Sequence, residues 1–80
     1  MTKDELIAWA KGKGYQEDRW GHFKKTIKGK DGESRTRRLK LSRIAVRLEV
    51  KLDSEWLRIK SGYYSKLSIT ADGKLQGMKL

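Results

Sequence analysis

Lysine and arginine alternate with apolar residues in the segment SRTRRLKLSRIAVRLEVKL, which runs from Ser34 to Leu52. Cationic side chains of this kind form charge-assisted hydrogen bonds to phosphate oxygens, and their summed potential attracts polyanions. The chain has 20 Lys and Arg against 10 Asp and Glu, and residues 20–51 hold eleven of those cations but only three of the acids. This pattern predicts a surface that binds nucleic acid. The alternatives are a surface for an acidic protein and the solvated side of a small sheet.

Aromatic residues next to the cations extend the prediction to stacking chemistry. Exposed rings stack on bases while neighbouring cations meet the phosphates, an arrangement typical of single-strand binding. Trp20 precedes a basic run, and in SGYYS we expect one of Tyr63 and Tyr64 to pack inward and the other to be exposed. We therefore predict a non-catalytic module that binds DNA or RNA. The predicted nucleic-acid-binding residues are Trp20, His22, Lys24, Lys28, Arg38, Lys40, Arg43, Arg47, Lys51, Arg58 and Lys60.

Few residues of the chain are suited to catalysis or to binding metals. There is one histidine, His22, and no cysteine. No glycine-rich loop follows a strand and begins a helix, so the chain has no nucleotide-binding fingerprint. Catalysis needs several reactive groups within mutual reach. We predict no catalytic residue, no cofactor and no metal site. His22 is the one candidate for a catalytic residue, and it belongs to the lowest-ranked hypothesis.

A helix at the N-terminus is the first element that must position these residues. The segment TKDE contains a Thr-x-x-Glu capping box from Thr2 to Glu5. Apolar residues centred on Trp9 then recur at helical spacing. Gly12 and Gly14 offer left-handed termination. These signals predict a helix over residues 3–12 with Trp9 packed in the core.

The apolar spacing changes to two after residue 22, which predicts strands. Asp31-Gly32 and Asp72-Gly73 are hairpin signals, because glycine adopts positive φ without steric cost. The parity of the apolar residues changes between Leu41 and Ile44, so the sequence predicts a tight turn, or else a β-bulge, at Ser42-Arg43. The residues predicted to face the core are Phe23, Ile27, Leu39, Leu41, Ile44, Val46, Leu48, Val50, Leu52, Leu57 and Ile59.

These elements together predict one domain over residues 1–80 of the α+β class. It consists of one N-terminal helix packed on an antiparallel β-meander of five or six strands. One face of the sheet is apolar and needs a covering layer, which the helix supplies. The Lys and Arg side chains of the strands then lie on the opposite face. The partner of that face is open at this point: nucleic acid is the first hypothesis and an acidic protein the second.

The first half of the chain resembles the start of HicA-like toxins, which are small RNA-cleaving proteins with a double-stranded-RNA-binding-domain fold. The resemblance covers the chain through Leu41 and rests on a helix that ends at Gly14-Tyr15 and on WGH before the first strand. The family has a Gly-Ser-His motif at that place, and its histidine is catalytic. The resemblance implies RNA cleavage by His22. The serine is missing between Gly21 and His22, and the remaining chain is predicted as strands where the family has a closing helix.

Two further expectations concern the setting of the protein. No apolar run approaches the roughly 20 residues of a membrane span, and no export signal is evident, so we predict a cytoplasmic protein without membrane contact. The lysines of the first strand protect a sheet edge against pairing, whereas KLQGMKL at the C-terminus is less charged. We therefore predict a monomer or a weak homodimer.

Overall fold

The computed structural model describes residues 1–80 and confirms the predicted α+β class, with one N-terminal helix and an antiparallel sheet. Five strands form the main sheet in the order β1-β2-β3-β4-β5, and two short strands form a separate hairpin. The elements are α1 (Lys3–Gly12), β1 (Gln16–Glu17), β2 (Phe23–Lys28), β3 (Ser34–Leu41), β4 (Ala45–Leu52), β5 (Glu55–Tyr63), a 3₁₀ turn (Tyr64–Lys66), β6 (Ser68–Ile69) and β7 (Leu75–Gln76).

Helix α1 begins and ends as the sequence predicts. The Thr2 side chain accepts a hydrogen bond from the Glu5 backbone, and the Glu5 carboxylate accepts one from the Thr2 backbone, which completes the capping box. Gly14 adopts a φ of 90°, where glycine avoids the steric cost of a side chain. The half-buried Trp9 packs against the core, and its indole N–H donates to the Gly73 carbonyl of the β6–β7 hairpin.

The core lies between α1 and one end of the sheet. Its eight buried residues are Leu6, Ala10, Phe23, Leu39, Val46, Leu48, Tyr64 and Leu67. Phe23, Leu39 and Leu48 occupy neighbouring positions on β2, β3 and β4, so they share one face of the sheet. The predicted alternation is therefore confirmed at the centre of the sheet.

The helix is too short to cover the whole apolar face. Leu52 and Leu57 lie on that face beyond the helix and remain 38% and 44% exposed. Ile44 was predicted inward but lies in the β3–β4 turn, where it is 56% exposed. Parity places Leu52 and Leu57 on the predicted face, but it does not determine whether another layer covers them. The prediction for Ile44 is wrong because this residue lies in a turn, where strand parity does not apply.

The β3–β4 connection is the predicted tight turn. Leu41 pairs with Val46, and the Ser42 N–H donates to the Ala45 carbonyl. A β-bulge occurs elsewhere, on β5, where Leu48 pairs with Lys60 but Glu49 pairs with Arg58. This shift turns Lys60 to the helix side of the sheet, so the prediction that Lys60 lies on the face opposite the core together with Arg58 is wrong. The sequence did not predict strand β1 or the bulge, because neither produces a clear alternation of apolar and polar residues.

The C-terminal segment, residues 77–80, crosses closely over β5. Ser61 and Lys79 exchange two backbone hydrogen bonds of 2.8 and 2.7 Å. Gly77 has a φ of 108°, and a β-carbon there would collide with the Lys66 carbonyl oxygen. A β-carbon at Gly62 would crowd both Leu67 and Gly77. The two glycines thus permit the close crossing that holds Lys79 beside β5.

The second half of the chain contains strands and one 3₁₀ turn, and it has no counterpart of the closing helix of HicA-like toxins. The one α-helix is neither long nor apolar enough to cross a membrane.

Candidate nucleic-acid interface

The side of the main sheet that faces away from α1, here called the outer face, carries most of the predicted binding residues. Directly paired positions on neighbouring strands point to the same side of an antiparallel sheet. Three rows on the outer face follow from the register. They are Lys24, Arg38, Glu49 and Arg58; Lys40, Arg47, Ser61 and Lys79; and Lys51 with Trp56.

One end of the outer face, here called the covered end, is closed by Trp56. The Arg38 guanidinium lies 4.0 Å from the centre of the Trp56 ring. It also contacts Glu49 Oε1 through Nε at 2.8 Å and through Nη2 at 2.6 Å. The Arg38 and Glu49 side chains are only 15% and 7% exposed. Arg38 is therefore a paired, largely buried cation with little access to a phosphate.

Lys24 extends the covered end towards β1. Its Nζ lies 5.7 Å from the ring centres of both Trp20 and Trp56, within the range of a cation–π interaction. It also pairs with Asp18 at 3.2 Å. Arg19 stacks on Trp20 at 4.2 Å. Trp20 is nevertheless 63% exposed, so one aromatic ring of this end is accessible to a partner.

Asp18 organises the turn that carries Trp20. Its Oδ1 accepts hydrogen bonds from the backbone N–H groups of Trp20 and His22, at 2.9 and 3.0 Å. Desolvation by itself raises the pKa of Asp18, but these two hydrogen bonds and the Lys24 ammonium outweigh it. The net result is a pKa below the ordinary value of an aspartate, and the carboxylate form is the one that holds the turn.

The opposite end of the outer face forms a cleft of about 730 Å³ between the end of the sheet and the C-terminal segment. We call it the basic cleft. No Asp or Glu lines it. The cations that line it are Lys40, Arg47, Arg58, Lys66 and Lys79. Only Arg47 contacts a carboxylate, at 3.8 Å from Glu49, and the other four form no ion pair.

Tyr63 and Tyr64 behave as predicted, with one exposed and one inward ring. Tyr63 lines the basic cleft opposite Ala45 and is 58% exposed. Tyr64 is 6% exposed, and its hydroxyl donates to the Ser42 carbonyl at 2.6 Å. Burial raises the pKa of Tyr64. The buried ring thus joins the β3–β4 turn to the 3₁₀ turn, and both contribute residues to the cleft.

The remaining predicted residues do not lie in the basic cleft. Lys28 is exposed at the opposite end of the sheet, and Lys51 is exposed beside Trp56 at 5.9 Å. Arg43 lies in the β3–β4 turn and lines a small pocket with Met1 and Tyr64. His22 is half-buried before β2, and its Nδ1 has no hydrogen-bond partner. Of the predicted residues, the fold brings Lys40, Arg47 and Arg58 together.

Sequence reasoning missed Glu49 as the partner of Arg38, and it missed Lys66 and Lys79 as members of the cleft. The outward parity of Glu49 was visible in the alternation of β4, and its opposite charge was a signal for cross-strand pairing. Lys66 and Lys79 had no comparable signal, because they enter the cleft through a 3₁₀ turn and a chain crossing.

No protein-family model, no curated protein and no solved structure matches the chain.

Proposed function

We propose that the protein is a nucleic-acid-binding module that uses its outer face without catalysing a reaction. The observation that carries the proposal is the basic cleft, in which five cations converge and no acidic side chain is present. Placing like charges together is electrostatically unfavourable unless an anion neutralises them. The exposed rings of Trp20 and Tyr63 add surfaces on which bases stack.

The arrangement favours a single strand over a duplex. Trp20 and Tyr63 are exposed rings near opposite lateral edges of the outer face, Trp20 just before β2 and Tyr63 at the end of β5. Bases reach such rings only when they are unpaired. The cations between them meet the phosphates of the same strand. Phosphate contacts carry no sequence information, so we expect weak sequence preference.

The covered and open cations have different parts in this proposal. Arg38 is paired with Glu49 and packed against Trp56, so it stabilises the outer face and does not contact the nucleic acid. Arg47 and Arg58 are exposed and line the cleft, so they supply direct phosphate contacts. Lys40 lies opposite Arg47 and adds a third charge at the same level of the sheet.

The direct test is a fluorescence-anisotropy titration of labelled single-stranded DNA, single-stranded RNA and duplex DNA at several salt concentrations. Each phosphate contact on a single strand adds about −0.7 to the slope of log affinity against log salt. The variant R47Q/R58Q is expected to flatten that slope by between one and two units. Binding to all sequences is expected to weaken alike.

The matched control is K11Q/K30Q, which removes two charges from exposed positions outside the outer face. Its slope is expected to remain near that of the parent chain. Equal slopes for the cleft variant and the parent would contradict the proposal, as would binding of polyglutamate as tight as that of the oligonucleotides. The polyglutamate result would instead favour an acidic protein as the partner.

A further inference from the structure

We propose that the basic cleft receives the phosphorylated end of a nucleic-acid strand, with Tyr63 stacking on the terminal base. This inference deepens the proposed function and depends on it. The chemical group recognised is a terminal phosphomonoester, which carries close to two negative charges at neutral pH. An internal phosphodiester carries one.

The basic cleft concentrates positive charge. Lys40, Arg47 and Lys79 belong to one row that runs across neighbouring strands and the C-terminal segment, and Ser61 completes that row. Neighbouring strands in a sheet lie about 4.8 Å apart. Lys40 and Arg47 are therefore direct neighbours, and Lys79 lies two strand spacings from Arg47, a separation that their long side chains can span to reach one compact anion. A strand lying along the surface would instead present its charges one at a time.

The cleft has the size of a small-ligand pocket and is bounded on one side by the C-terminal segment. The C-terminal segment is fixed on β5 by the two hydrogen bonds between Ser61 and Lys79, so it bounds the cleft on that side. The cleft of about 730 Å³ lies within the range of pockets that hold a small ligand, roughly 300–1,000 Å³. A terminal nucleotide is of that class of ligand, and the rest of the strand can continue along the outer face.

Tyr63 provides an aromatic ring at the same cleft. Its exposed ring lies at the end of β5 and lines the same cleft as Arg47 and Lys66. Stacking on an aromatic ring needs only one face of a base and tolerates any base. Tyr63 therefore supports the terminal base without adding sequence preference, while the cations hold its phosphate.

The covered end offers no comparable site. Its central cation, Arg38, already contacts Glu49 through two nitrogen atoms, and Lys24 pairs with Asp18. Of the two ends, only the basic cleft gathers several cations without carboxylate partners, which are Lys40, Arg58, Lys66 and Lys79. This difference locates the proposed end-binding site.

The experiment compares oligonucleotides of one sequence and length, as RNA and as DNA. One bears a 5′-phosphate, one a 3′-phosphate, one has hydroxyl groups at both ends, and one is circular. We expect one phosphorylated form to bind about 10-fold more tightly than the hydroxyl form, because the end supplies an additional charge to a multivalent cationic site. The preferred end identifies the direction of the strand. Equal affinity of all four forms would overturn the inference.

Two further measurements distinguish recognition of a strand end from recognition of a free phosphate or nucleotide. A nucleoside monophosphate alone is expected to bind at least 10-fold more weakly than the phosphorylated oligonucleotide. If the mononucleotide bound with the same affinity as the phosphorylated oligonucleotide, the inference would be overturned and the cleft would be a site for free nucleotides. The variant K66Q/K79Q, which removes two other cations of the cleft, is expected to reduce the end preference to about 1-fold while binding to the hydroxyl form persists. The control K11Q/K30Q is expected to keep the preference.

The outcomes separate the two proposals. If no oligonucleotide binds, the proposed function fails. If the oligonucleotides bind with the expected salt dependence but without a preference for a phosphorylated end, only the end-binding inference fails. Circular dichroism of K66Q/K79Q is expected to match that of the parent chain, which separates a lost preference from unfolding.

Discussion

The covered end and the basic cleft of the outer face are built from the same strands but use their cations differently. At the covered end, Arg38 lies beneath Trp56 and contacts Glu49 at 2.6 Å. In the cleft, Arg58 and Lys79 contact no carboxylate. A paired and buried cation stabilises the fold, whereas an unpaired exposed one is available to a partner.

The difference shows that a basic residue on a strand face is not by itself a binding residue. Arg38 and Lys40 have the same outward parity and are two residues apart on β3. Their roles differ because Glu49 and Trp56 reach Arg38, while Lys40 has Arg47 opposite it. The neighbours on adjacent strands decide whether a charge is neutralised.

The largest expected effect is at Glu49. The variant E49Q removes the carboxylate that neutralises Arg38, and an uncompensated buried charge costs about 3 kcal/mol. Urea denaturation is expected to show this loss of unfolding free energy. The double variant R38M/E49L removes both charges and is expected to recover most of it, because an apolar pair needs no compensation. A stability of E49Q within 0.5 kcal/mol of the parent, roughly the range of exposed substitutions, would contradict the description of a covered end.

Trp56 is expected to have the next largest effect. The variant W56A uncovers Arg38 and removes a half-buried ring, which we expect to cost about 2 kcal/mol of unfolding free energy. Trp20 is the matched control because it is the exposed ring of the same end. The variant W20A is expected to change stability little but to lower affinity for single strands by roughly 1–3 kcal/mol. Equal stability losses in the two variants would remove the distinction between covering and accessible rings.

Arg47 tests the basic cleft, and its substitution is expected to have a small effect on stability. Its side chain is 48% exposed and lies 3.8 Å from Glu49. The variant R47Q is expected to change the unfolding free energy by less than about 0.5 kcal/mol. It is also expected to flatten the salt slope for single strands by about 0.7. A large stability loss without a change in slope would assign Arg47 to the covered end.

Asp18 gives the smallest and most local effect. Its pKa is below the ordinary value, so its stabilising contribution is present above the unfolded-state pKa and is lost as the pH falls through the lowered folded-state pKa. Below about pH 4, the backbone amides of Trp20 and His22 are expected to lose protection in hydrogen-exchange NMR. The variant D18N keeps an oxygen acceptor but does not titrate. The protection of these amides in D18N is expected not to change with pH. If D18N lost protection below about pH 4 as the parent chain does, the role of Asp18 would be contradicted.

The sequence alone determined the helix and the central alternation. The capping box at Thr2 and Glu5, the glycine at position 14 and the parity of Leu39 and Leu48 depend on local backbone chemistry. Capping, positive φ and strand period act over a few residues, so a local reading of the chain predicts them. The tight turn after Leu41 was predictable for the same reason.

The tertiary structure decided which faces are covered and which charges are paired. The short helix leaves Leu57 exposed, and the bulge on β5 turns Lys60 to the helix side. Lys79 reaches the basic cleft because Gly62 and Gly77 allow the chain to cross β5 closely. These features depend on contacts between residues distant in sequence. Local periodicity predicts the direction of a side chain, but only the packed chain determines what that side chain meets.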